Sequence, residues 1–182
     1  VSPTELFGAE YVYFSQNSQE WIEHTKRYCD MAVRRFGLRK DNSIVLEIGG
    51  NDGHLLVNLK DSVLRAINIE PSASVAAVST KRGVETWVEY FRPQQIQADL
   101  IIANNVMAHV PDLDAFVRAL FLSLKPTGRI TIEFPHALTL LQGVQFDTIY
   151  HEHYSYLSYT ALAPLFKKYG LHVYDVDKLS TH

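Results

Sequence analysis

The string "TIYHEHYSY" (Thr148–Tyr156) packs two histidines, one glutamate and three tyrosines into nine residues. Such groups serve a metal site or a proton-transfer site, or they make up a polar loop without chemistry. Histidine titrates near neutrality and can take a proton from a carbon next to a carbonyl. A tyrosine hydroxyl can donate to the oxygen on which charge then develops. A neighbouring carboxylate can fix the imidazole tautomer or hold hydroxyl groups. In an extended segment His151 and His153 share a face with Glu152 opposite, and in a helix the three fan apart, so they cannot share one role. Glu133, His136, His151 and His153 supply the atom types of a zinc or iron site. However, H-E-H is not the H-E-x-x-H spacing that sets two imidazoles on one helix face, and no metal is expected. A structural hydrogen bond is expected of His151. His24, His54 and His172 are expected at the surface or in caps, and Tyr154, Tyr156 and Tyr159 in the core or an interface.

A second stretch, "LEIGGNDGHLL" (Leu46–Leu56), follows an apolar strand and opens a helix. Its glycines permit a tight turn and close approach of a ligand to the backbone. The register of Gly49, Gly50 and Gly53 is not G-x-G-x-x-G, and no Gly-Lys-Ser/Thr follows. With Glu47 in the strand and Asp52 in the loop, a cationic or neutral adenosyl ligand suits the turn better than a pyrophosphate. About 20 residues on, Glu70 ends the next strand beside Pro71, where a carboxylate can accept both ribose hydroxyls. Asn104 and Asn105 form a third polar strand end. Trp87 and Glu89 are candidates to flank an adenine, Trp87 equally for the core.

The elements that position these residues alternate. A helix is expected over Ser18–Phe36, stopped by Gly37. Strands are expected over Ser43–Gly50, Leu64–Ser72, within Val84–Phe91, and over Ala98–Val106, Arg129–Pro135 and Leu171–Leu179. Helices are expected to open at His54, to fill Ser72–Gly83, to start at the N-cap Asp112, and to span Ser158–Gly170. The pattern predicts an α/β fold with a doubly wound, mostly parallel sheet and helices on both faces. Ligands of such sheets bind beyond the carboxyl ends of the strands, where all three polar strand ends lie. The expected organisation is a single domain over 1–182, with an N-terminal helical segment (1–40) and a Rossmann-like core (41–182).

Of 182 residues, 47% are hydrophobic and 20% charged, and the net charge of −3 leaves no basic footprint for nucleic acid or an anionic membrane. No stretch approaches the roughly 20 apolar residues of a membrane span. The single cysteine, Cys29, reads as a small apolar filler, and a cytoplasmic setting is expected.

The strings "LEIGGNDGHLL", "NIEPS", "ANNVMAHVPDLDAFV", "LKPTGRITIEFPH", "QFDTIYHEHYSYLS" and the closing "STH" resemble the S-adenosylmethionine-dependent sugar C-methyltransferases, over nearly the whole chain. The resemblance implies a class I methyltransferase fold and S-adenosylmethionine as cofactor. It also implies a nucleotide-linked 4-keto deoxysugar as small-molecule partner, methylated at C-3 through a base-generated enolate. It makes His153 the base, sets Tyr150 near the enolate oxygen, and adds Glu152 and His109 to the active site. Members begin with a cysteine-rich zinc domain and continue past "TH" into a further large domain, so the chain is expected to be a piece of a longer one. The "YFSxxSxxW" stretch carries Asn17 where members often have a tyrosine. The rival readings are an O- or N-methyltransferase of another small metabolite and a cofactor-binding domain inactive on its own. A nicotinamide oxidoreductase is disfavoured by the glycine register.

Overall fold

The computed structural model describes residues 19–93 and 96–179. Asn17 and the closing "STH" lie outside them. Five strands, β1 (Ile44–Ile48), β2 (Arg65–Ile69), β3 (Glu85–Trp87), β4 (Ala98–Asn104) and β5 (Leu124–Glu133), form one sheet in the order β3-β2-β1-β4-β5. Every pair is parallel. The helices are α1 (Gln19–Phe36), α2 (His54–Val57), α3 (Ala73–Lys81), α4 (Leu113–Leu122), α5 (Ala137–Gly143) and α6 (Tyr159–Lys168). Strand order reverses between β1 and β4, which puts the switch point beside the glycine turn.

Side-chain alternation divides the core in two. Leu46, Ile48, Ile67, Ile69 and Ile101 pack with Phe116 and Leu120 of α4 and Leu162 and Phe166 of α6. Val45, Ala66, Leu100 and Ile102 point the other way, onto Cys29 and Ala32 of α1 and Leu55 and Leu56 of α2. Both faces are therefore dry along the strands, as all-parallel sheets require. Cys29 is the buried filler the sequence predicts.

Three of the expected elements take another form, and α5 is a helix the sequence reading did not include. The helix opening at His54 lasts four residues, and its C-cap Asn58 turns its amide onto the His54 carbonyl. Strand β5 begins five residues earlier than expected and runs through Pro126. Proline is tolerated there because β5 pairs with β4 alone and lies at the sheet edge. Leu171–Leu179 forms no strand. A cleft of about 970 Å³ separates this segment from β5, lined by Ile130 and Ile132 on one side and Val173 and Val176 on the other, so its backbone finds no ladder. Side chains hold it instead: Asp175 pairs with Arg35 at 2.5 Å, and Tyr174 lies under the guanidinium groups of Arg35 and Arg129.

Gly37 and Gly53 both have positive φ, +62° and +72°, but a Cβ on Gly37 meets nothing within 4 Å, whereas one on Gly53 meets Ser79 Oγ at 2.3 Å. Gly37→Ala is expected to cost only the left-handed penalty of roughly 1–2 kcal/mol. Gly53→Ala adds an overpacking term of about 1–3 kcal/mol. Urea unfolding of the two variants measures the difference.

Candidate active site

At the carboxyl end of the sheet the face covered by α1 turns polar. Register sets Glu47 beside Asn68 on β2 and Ile102 on β4, with Thr131 next on β5, and sets Asn104 beside Glu133. The α1 residues above this band are polar at the matching spacing: Tyr28 bonds Thr131 Oγ1 at 2.6 Å, and His24 Nε2 lies 3.0 Å from Glu133 Oε2. His24 is 8% exposed, so the expected surface role is corrected: i to i+4 spacing puts it on the same buried face as Tyr28.

The glycine turn is fastened to β2 rather than standing free. Asn68, fully buried, accepts from Gly50 N at 3.1 Å and donates to the Asn51 carbonyl at 3.0 Å and to Ser79 Oγ at 3.1 Å. The carboxylate of Glu70 accepts from Asn51 N at 3.1 Å and Ser72 N at 2.8 Å, so it also ties the turn to the start of α3, just past Pro71. Asn51 takes φ +51°, and its side chain accepts from Asp52 N. The buried Asp52 carboxylate lies 3.4 Å from Arg82. Gly50 has no room for a side chain: a Cβ would lie 2.5 Å from Asn68 Oδ1 and 2.7 Å from Glu47 Oε2. The crowding at Gly49, Gly50 and Gly53 comes from the chain's own Val106, Asn68, Glu47 and Ser79, a constraint the sequence does not reveal.

Glu47 is 5% exposed, and its Oε2 accepts no hydrogen bond. Burial, reinforced by Asp52 and Glu70, pushes its carboxyl well above the usual range. Burial also raises Glu70, though the two backbone N–H groups oppose it. Across the switch point Asn104 ends β4, and Asn105 turns the chain at φ +55° while its N–H donates to the Glu133 carbonyl at 2.7 Å.

The string 148–156 folds over this end as a turn, neither extended nor helical. The His153 N–H closes it onto the Tyr150 carbonyl at 3.0 Å, which brings the side chains of Tyr150 and His153 together. His153 Nδ1 lies 2.9 Å from the Thr148 carbonyl, which can only accept, so Nδ1 carries the proton of the neutral ring. Nε2 then offers its lone pair, 3.0 Å from the Tyr150 hydroxyl, which donates. The same reasoning makes His109 Nδ1 a donor to the Glu152 carbonyl at 3.0 Å. The rings of His109 and His153 lie 4.8 Å apart, and desolvation, with His153 nearby, pulls the His109 pKa down, keeping it neutral. The N–H groups of Tyr154 and Ser155 donate to the Ala108 carbonyl, so the string is stapled to the short 3-10 turn Met107–His109 after β4.

The structure thus brings His153, Tyr150, His109 and the Glu152 backbone together. His151 is exposed on the turn, so the structural anchoring expected of it falls to the Glu152 carbonyl. Tyr154, Tyr156 and Tyr159 are 38%, 45% and 46% exposed, not core residues: the first two belong to the string, which rides on the sheet end instead of entering it, and Tyr159 opens α6. His54 Nε2 is buried, and Trp87 packs on the core with its indole N–H on Glu85. Among the described residues no three His, Cys, Asp or Glu side chains gather as a metal site. Asn68 and the His24–Glu133 pair escape sequence reading. The signal for Asn68 is a polar residue in an apolar parallel strand, at the same register as Glu47 on its neighbour; Glu133 ends its strand beside Asn104.

The sheet order and the crossing from glycine turn to β2 acid define a Rossmann-like cofactor-binding domain. A family profile described as "Methyltransferase domain" matches residues 21–176. Over 190 residues the chain is 33% identical to the C-methyltransferase NovU of Streptomyces niveus; all of this chain is aligned but 45% of NovU, so it spans about half the length of that curated relative. A Haloferax volcanii protein solved in complex with the Trm112 methyltransferase activator has a similar fold, with TM-score 0.72 and 15% identity over 88% of this chain and 74% of its own. So has the magnesium protoporphyrin IX methyltransferase ChlM of Synechocystis PCC 6803, solved with S-adenosylhomocysteine, with TM-score 0.67 and 14% identity over 91% of this chain and 81% of its own. The chain belongs to the S-adenosylmethionine-dependent methyltransferases. No helix among the described residues is long and apolar enough to cross a membrane.

Asn68→Ala strands Gly50 N, the Asn51 carbonyl and Ser79 Oγ of one partner each and is expected to cost about 3 kcal/mol, read by chemical unfolding. The raised carboxyl of Glu47 means the folded protein holds a proton that the unfolded chain releases above about 4.5. Stability without cofactor is therefore expected to fall as pH rises from there towards the folded value, and Glu47→Gln to lessen the fall in calorimetric scans.

Proposed function

We propose that this domain methylates C-3 of a nucleotide-linked 4-keto deoxysugar, with His153 as base and Tyr150 as partner of the enolate oxygen. The observation that carries the reading is the His153 ring, held by the Thr148 carbonyl so that Nε2 presents its lone pair to the Tyr150 hydroxyl. The likeness to a C-methyltransferase supports it.

The residues around the glycine turn fit the cofactor. Each Glu70 oxygen keeps a lone pair beyond the backbone N–H it accepts, enough for two ribose hydroxyls. Glu47 offers a buried carboxylate oxygen without a donor. Gly49–Gly53, Pro71, Asn104 and Asn105 complete the wall. When bound there, S-adenosylmethionine would supply an electrophilic methyl group, its sulfur keeping the S–C electron pair and leaving as S-adenosylhomocysteine.

The chain's own residues prepare the substrate carbanion. The ketone oxygen replaces His153 Nε2 as acceptor of the hydrogen bond that the Tyr150 hydroxyl donates, which frees Nε2. Nε2 removes the C-3 proton, and the electron pair moves into the enolate, whose oxygen Tyr150 continues to donate to. The Thr148 carbonyl accepts from Nδ1 throughout and favours the imidazolium that forms. His109, neutral and bonded to the Glu152 carbonyl, holds the turn at its distance from β4. Glu152 positions the sugar hydroxyls.

Deuterium wash-in at C-3, with substrate and no methyl donor, tests the base separately from transfer. His153→Ala is expected to slow exchange roughly a hundred- to ten-thousand-fold. Tyr150→Phe is expected to slow it by up to about a hundredfold. Exchange at the wild-type rate in His153→Ala would remove His153 from the mechanism. Heat on titration with S-adenosylmethionine and S-adenosylhomocysteine tests the cofactor site independently.

A further inference from the structure

Four carboxylates stand at this end of the sheet, and three have a hydrogen-bond donor, an imidazole or a guanidinium beside them. Glu70 accepts two backbone N–H groups, Asp52 lies beside Arg82, and Glu133 bonds His24. Glu47 has no such partner: its Oε2 is buried and accepts nothing. The titratable groups facing it can only add negative charge. From α1 these are Tyr28, whose hydroxyl meets Thr131, and Cys29, whose thiol points to the Leu55 carbonyl. From the turn it is Asp52 and from the end of β2 Glu70. A buried carboxylate so placed is neutral unless a cation joins it.

Resting on the cofactor-site reading above, we propose that Glu47 carries a proton in the cofactor-free protein and loses it to solvent when the cofactor's α-ammonium docks beside it, so that one proton leaves per cofactor bound. The Glu47 O–H bond breaks, the proton passes to buffer, and the carboxylate left behind is the ammonium's counter-charge. Affinity then rises with pH, approaching tenfold per pH unit, until Glu47 is already ionised in the free protein. S-adenosylhomocysteine keeps the ammonium and lacks the sulfonium, so it releases the same proton. Glu47 therefore does not discriminate cofactor from product.

Titration calorimetry in buffers of unlike ionisation enthalpy counts the protons, at about pH 6.5, below the titration of an α-amino group near 7.7–8.0. Wild type is expected to release protons, up to one per ligand, with S-adenosylmethionine and with S-adenosylhomocysteine, and none with the uncharged 5′-methylthioadenosine. Glu47→Gln is expected to abolish the release, and Glu70→Gln to retain it at reduced affinity. Binding with no buffer dependence in wild type overturns the coupling while leaving the cofactor site standing, and this needs no variant to fold. Release with S-adenosylmethionine alone, or release persisting in Glu47→Gln, overturns the assignment. Absence of binding by any of the three ligands overturns the site and the coupling together.

Discussion

A carboxylate buried without a counter-ion is the constraint around which this end of the molecule is arranged. An all-parallel sheet covered on both faces leaves no water for a polar strand end, so every polar side chain there needs a partner from the protein or from a ligand. Asn68, Glu70 and Thr131 find theirs in the glycine turn and α1. Glu47 does not. The neighbouring groups are so placed that satisfying it from within would demand a cation where Gly50, Asn68 and Cys29 already pack. The uncompensated site is thus a stable product of close packing around it.

The second half of the site hangs on a different device. Tyr150 and His153 meet through a single turn, and the turn meets the sheet through the Ala108 carbonyl and His109. The 3-10 turn Met107–His109 follows directly from β4, whose last residue also borders Glu133. One strand end therefore fixes the imidazole pair and one wall of the polar band together. Their relative position depends on β4, not on the long α5 connection, whose Leu141 and Phe146 are 72% and 74% exposed.

The strand–helix alternation was legible because β-branched runs such as "SIVLEI" and "ADLIIA" admit only buried strands, and because Gly37 and Asp112 mark helix ends locally. Both halves of the site were legible as clusters, since Gly49–Gly53, Glu70 and the H-E-H string stand out by type. What stayed hidden depends on contacts between distant segments. His24 reads as any helix histidine until Glu133, 109 residues away, is brought to 3.0 Å. The pairing of Tyr150 with His153 needs a turn, and nothing in Y-H-E-H contains the Gly, Pro, Asn or Asp that signals one. Leu171–Leu179 has the alternation of a strand, but alternation describes side chains and cannot supply a hydrogen-bonding neighbour.

The Tyr150–His153 turn has a consequence for how such a site responds to substitution. Its two side chains are three residues apart, so their mutual distance is a property of one short peptide and is insulated from substitutions elsewhere. Changes in the 3-10 turn or at His109 re-aim the pair as a unit without altering its internal geometry. Substitutions in this mount would swing the Tyr150–His153 pair across the sheet end while leaving the pair itself intact, a separation of aim from internal geometry that a pair assembled from two distant strands would not allow.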